Sequence, residues 1–65
     1  MMYTVYFLVL FAVNSEGYPE ETKEILQTRF PSICELNKKI AYEAVQVPEG
    51  YTLVAKCIPQ ERIDV

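Results

Sequence analysis

The chain has 65 residues, and at 7.5 kDa it can hold one small domain spanning residues 1–65, with little room for an enclosed substrate pocket. Half of it is apolar (51%) and 23% is charged, which excludes a disordered or fibrous chain. Nine acidic against six basic residues leave a net charge of -3, a poor match to a nucleic-acid binder, whose affinity rests on Lys and Arg neutralising phosphates. The chain also has no histidine, and so lacks the commonest general base and metal ligand.

Residues 1–15 carry no ionisable side chain except tyrosine, and residues 1–13 are apolar apart from Thr4. As a transmembrane helix this run is too short: at about 1.5 Å per residue it reaches roughly 20 Å, against a hydrocarbon core of roughly 30 Å. As a signal peptide it has the length of an apolar h-region, and Val13 and Ser15 suit a cut before Glu16, but the usual basic residues ahead of it are missing. As a β-strand it is rich in the β-branched and aromatic types that favour a pleated surface. Tyr3, Val5, Phe7, Val9, Phe11 and Val13 alternate with Thr4, Tyr6, Leu8, Leu10 and Ala12, so both faces are apolar, the mark of a central strand. The strand is the reading adopted.

Residues 14–17 are turn chemistry, with Asn14 and Gly17 suited to positive φ, and residues 18–21 continue a polar connection. Residues 23–30 form a second, antiparallel strand, polar enough for an edge, with Leu26 and Phe30 on one face and Ile25, Gln27 and Arg29 on the other. Ser32 and Glu35 have the spacing of a capping box, which predicts a helix from residue 33 to about residue 45. Its apolar stripe is Ile33, Leu36, Ile40, Ala44 and Val47, with Cys34, Ala41 and Val45 on the flank and Lys38, Lys39 and Glu43 facing water. Pro48 and Gly50 end the helix, and residues 51–58 form a last strand that Pro59 is expected to stop. Ile63 is an anchor in a polar tail. The expected fold class is α+β, a small antiparallel sheet with one helix packed on it, in the order β-β-α-β.

Cys34 falls at the helix start and Cys57 near the end of the last strand, so a helix crossing the sheet can bring them together. A bridge closing a loop of about 24 residues stabilises by roughly 3 kcal/mol in the chain-entropy model. The competing state is two buried thiols packed as small hydrophobes in a reducing compartment. Two sulfurs without histidine leave a zinc site half empty, so no metal or other cofactor is expected.

Catalysis is not expected either. Ser15 lies in a turn and Ser32 is accounted for by capping. Gly17 and Gly50 form no phosphate loop, and Lys38, Lys39 and Arg29 are too few for phosphate binding. Glu16, Glu20, Glu21 and Glu24 cluster within nine residues, either as a solvated stretch or as an acidic contact patch for a basic partner.

Three segments carry a resemblance: Phe7-Leu8-Val9-Leu10, then Phe30-Pro31-Ser32-Ile33-Cys34-Glu35, then Lys56-Cys57-Ile58-Pro59. In them the chain resembles a group of small uncharacterised proteins of enterobacteria and their prophages. The resemblance implies a bacterial or phage origin and the same small fold, and brings no activity. Members often carry further cysteines in the hairpin; this chain has none there, so their connectivity does not transfer.

One helix covers one face of a sheet, so Tyr6, Leu8, Leu10 and Ala12, or the opposite set, are left as a candidate interaction surface. The expected function is a non-enzymatic protein-interaction module, a homodimer that binds a host protein, for example as an inhibitor. The alternative is a small exported, disulfide-stapled protein with residues 1–15 removed. Retention of that segment favours the cytoplasm, and cleavage the periplasm or the exterior.

Overall fold

A computed structural model of the chain describes residues 1–63. The apolar run is β1 (Met2–Val13), followed by β2 (Pro19–Thr28), the helix α1 (Pro31–Ala44) and β3 (Thr52–Ile63). All pairing is antiparallel and the sheet order is β2-β1-β3. The strand that is apolar on both faces is therefore the central one, and the two more polar strands are the edges. The chain is an α+β fold in the expected order.

Asn14 builds the β1–β2 turn. Its side-chain oxygen accepts the Glu16 and Tyr18 amides, both at 3.0 Å, while Gly17 takes φ 88, a value that favours glycine. The turn closes so tightly that pairing begins at Val13↔Pro19, four residues before the predicted start. Proline is tolerated there because it opens an edge strand. Register shifts against β1 occur between Leu8 and Val9 and between Ala12 and Val13, leaving Ile25 and Glu20 as extra residues on β2. Such bulges bend an edge away from further pairing.

The helix starts two residues earlier than the capping-box reading places it. Phe30 is the N-cap in extended conformation, Pro31 occupies the first turn, and no side chain caps the end. Proline has no N–H to leave unsatisfied and its φ is already helical, so it sets the start. Ser32 then lies inside the first turn, and the predicted pairing with Glu35 does not form. Glu35 instead pairs with Lys38 at 2.9 Å. Phe30 accordingly leaves the strand in which the sequence places it; its amide donates to Thr28 Oγ1 at 3.1 Å, fixing the entry to the helix.

Helix rotation is the larger correction. The sequence stripe of Ile33, Leu36 and Ile40 is exposed, with Leu36 58% accessible, while Cys34 and Ala41 are the buried helical residues. Those two lie seven apart on one line of the helix, which rests on Ala55 and Leu8. Two constraints select that line. Cys34 is disulfide-bonded to Cys57 of β3, with Cα atoms 6.1 Å apart, inside the ordinary range for a bridge. On the next turns, the Tyr42 hydroxyl accepts the Ala55 N–H at 2.8 Å. Both ties pull α1 toward β3, and the small side chains of Ala41 and Ala55 let the backbones approach.

The same Ala55 bond explains why Pro59 does not end β3. The Ala55 N–H points outward from the sheet at Tyr42, and Pro59, four residues on, shares its parity. Its nitrogen therefore falls on the outer edge, where no ladder bond is lost. β3 continues to Ile63, pairing with β1 as far as Met2.

Candidate interaction surface

The ladder assigns every strand residue to a face. Tyr6, Leu8, Leu10 and Ala12 lie under the helix beside Cys57, Ala55 and Leu53. Leu8 is 1% exposed and, with Leu10, Cys34, Ala41 and Ala55, makes the core, flanked by Tyr6, Leu26, Leu53 and Cys57. These first-strand residues are thus packing residues. The candidate surface drawn from them is corrected to the opposite set, because α1 covers the even-numbered face.

The open face carries Tyr3, Val5, Phe7, Val9, Phe11 and Val13 on β1, with Val54 and Ile58 beside them on β3. Its two ends differ. At one end the chain covers itself: the Arg29 guanidinium lies 4.0 Å from the centre of the Tyr3 ring and that of Arg62 5.6 Å from the centre of Phe7. Both are cation–π contacts that lay the aliphatic stems over apolar surface, and Val5 is 3% exposed there. At the other end Val9, Phe11, Val13 and Val54 are half-buried and Ile58 is exposed. Glu24 and Lys56 flank Val9 at the same level of the ladder.

A second apolar surface is the helix flank away from Tyr42. Phe30, Ile33, Leu36 and Ile40 are all exposed along it. Sequence periodicity groups Ile33, Leu36 and Ile40 into one stripe opposite the water-facing Lys38, Lys39 and Glu43, but it places Phe30 on the second strand.

Three of the four glutamates adjoin one another around Tyr51, Glu16 beside Glu20 in one hollow and Glu20 beside Glu21 in the next, while Glu24 lies apart on the open face. Glu16 sits in the turn. Glu21 pairs with Ala12 on the helix side and Glu24 with Val9 on the open side. Glu20 has a structural partner set: Asn14 Nδ2 donates to one carboxylate oxygen at 2.7 Å and the Tyr51 hydroxyl donates to the other at 2.9 Å. This clamp ties the hairpin turn to the residue preceding β3. The Asn14 hydrogen bond, then that of Tyr51, hold the Glu20 carboxyl below its ordinary value, and the Glu20 carboxylate raises the Tyr51 phenol above its own. Because the folded Glu20 pKa is depressed, its contribution to stability is present above about pH 4.5 and is lost as pH falls through the folded pKa. Because the folded Tyr51 pKa is raised, its contribution is present below about pH 10 and is lost as pH rises. The clamp should therefore be intact across neutral pH and fail at both extremes. Denaturation of wild type and Glu20→Gln as a function of pH checks this: the two curves should be apart at neutral pH and converge as pH falls through the folded Glu20 pKa.

A groove of about 330 Å³ separates residues 45–48 from β2, lined by Leu10, Ala12, Glu21, Lys23, Val45 and Leu53 among others. Among the described residues no three His, Cys, Asp or Glu side chains are grouped to hold a metal ion, and no helix is long and apolar enough to cross a membrane. The chain matches no family model, no curated protein and no solved structure.

Proposed function

We propose that the chain is a non-enzymatic protein-interaction module that self-associates as a homodimer and binds a further protein. One observation carries this reading. The chain exposes 5,039 Å², against about 4,200 Å² for a folded monomer of its mass on the usual scaling. The excess, roughly 800 Å², is about what one side of a standard interface covers. The shape agrees: the radius of gyration is 13.5 Å, where a compact domain of this length has about 11 Å.

Two apolar surfaces suit two contacts, the open sheet face for a second copy and the flank of Phe30, Ile33, Leu36 and Ile40 for a different partner. The bacterial or phage origin implied by the resemblance makes a host protein the natural candidate for that partner, with inhibition as one form of the activity. The Cys34–Cys57 bridge favours a second reading, work in an oxidising compartment. The version of it that removes residues 1–15 requires another fold, since β1 is the strand both edges share.

Sedimentation equilibrium of the oxidised full chain between 1 and 100 μM tests the leading reading. A mass near twice 7.5 kDa is expected, and Phe11→Glu should return it to the monomer value while the far-ultraviolet spectrum stays unchanged. A wild-type chain that remains monomeric throughout contradicts it.

A further inference from the structure

Resting on that reading, we infer that the second copy covers the open sheet face with its two-fold axis parallel to β1, so that Glu24 of each copy meets Lys56 of the other. The argument is one of levels and sides. Three rungs of the ladder cross the centre of this face: Thr22–Phe11–Val54, Glu24–Val9–Lys56 and Gln27–Phe7–Ile58. Sheets stacked about 10 Å apart interdigitate the side chains of their inner faces, with strands close to aligned.

A face-to-face dimer has two in-plane axes available. An axis parallel to β1 keeps each rung at its own level and exchanges the two edges. β2 then lies over β3 of the second copy, the Glu24 carboxylate falls opposite the Lys56 ammonium twice, and Val9 packs at the centre between the pairs. Gln27 meets Ile58 and Thr22 meets Val54 on the neighbouring rungs. An axis across the strands through Val9 places β2 over β2 instead. Glu24 then faces Glu24 and Lys56 faces Lys56, like charges opposed at the rim of an apolar patch.

Both residues are available for these bonds. Each is exposed, and neither has an ion-pair partner among the described residues. The far end of the face supports the same centre. Arg29 and Arg62 already stack on Tyr3 and Phe7, so the part that a second copy covers centres on the rungs of Val9 and Phe11, with Gln27 and Ile58 at its border. The roughly 800 Å² of excess surface, to which the helix flank also contributes, is on the order of what one side of such an interface covers.

A charge-swap cycle read by sedimentation equilibrium tests this geometry. Glu24→Lys and Lys56→Glu each replace two attractive pairs by two repulsive ones, and each should weaken the dimer about tenfold or more. The double variant restores opposite charges and should return to within about threefold of wild type, a rescue that misfolding of a single variant cannot mimic. Single variants that dimerise as wild type does overturn the geometry while leaving the interaction reading in place. A disruptive Leu36→Glu in that case would move the second copy to the helix flank. A wild-type chain that is monomeric at 100 μM overturns both.

Discussion

Reduction of the Cys34–Cys57 bridge is expected to cost the fold about 3 kcal/mol, most of the stability available to it. The bridge joins residues 23 apart in sequence, and closing that loop in the unfolded chain removes the corresponding conformational entropy. The core it supplements is small. Five residues form the buried cluster, two of them alanines, and a domain under about 70 residues rarely gains more than roughly 3–5 kcal/mol from such a core. The bridge also fixes the rotation of α1, so its loss releases the Cys34–Ala41 line from β3 as well as lengthening the free loop. Thermal denaturation of the oxidised chain, the reduced chain and a Cys34→Ala/Cys57→Ala variant measures the effect. The midpoint should fall by roughly 12–24 °C in the reduced chain and at least as far in the variant, which also loses the volume of two sulfurs. Identical midpoints would mean that the core alone holds the helix in place.

Removal of residues 1–15 is expected to abolish the fold altogether, even with the disulfide formed. β2 and β3 are hydrogen-bonded to β1 and not to each other, so a chain beginning at Glu16 keeps two strands with no common neighbour. It also loses Leu8 and Leu10 from the centre of the cluster. The Asn14 donor of the Glu20 clamp goes with them. What remains is one helix tethered to one strand, and an isolated pair of elements of that kind lacks the apolar area for independent stability. Amide hydrogen exchange on residues 16–65 should show no protected β3 amides, whereas in the full chain the ladder from Val5 to Val13 should be the slowest to exchange. Protected amides in the shortened chain would mean that β2 and β3 can pair directly, which this topology does not contain.

Much of this architecture is legible in the sequence because its signals are local or compositional. Apolar residues on both faces of residues 3–13 mark a strand flanked on both edges, and the structure places it there. The order of elements follows from Asn14, Gly17, Pro31 and Gly50, each of which acts within a few residues of its own position. The even-numbered face of β1 is less legible. Both faces are apolar, and which one the helix covers depends on connections, so Leu8 and Leu10 look equally suited to a partner or to the core. The rotation of α1 is a still longer-range property. Ile33, Leu36 and Ile40 make the larger apolar stripe, yet the line of Cys34 and Ala41 wins because a covalent bond to Cys57 and the Tyr42–Ala55 hydrogen bond outweigh stripe size. Pro59 illustrates the same limit. Whether proline ends a strand depends on which way its nitrogen faces, and that is fixed by the outward Ala55 N–H, a fact of register and not of composition.

These displacements decide which apolar surfaces the chain exposes. Turning the larger helical stripe outward creates one exposed apolar surface, and placing α1 on the even-numbered face of β1 leaves the odd-numbered face as another. The self-association proposed above rests on these two exposed surfaces and on the Glu24–Val9–Lys56 rung of the open face.

Small-angle scattering from the oxidised chain across a concentration series tests that central claim most directly, since it reads mass and shape together. The isolated chain measures 45 × 21 × 12 Å. Stacking through the open face should double the mass while adding to the thinnest dimension, with the longest staying near 45 Å. A particle of 7.5 kDa with a radius of gyration near 13.5 Å at every concentration would contradict it.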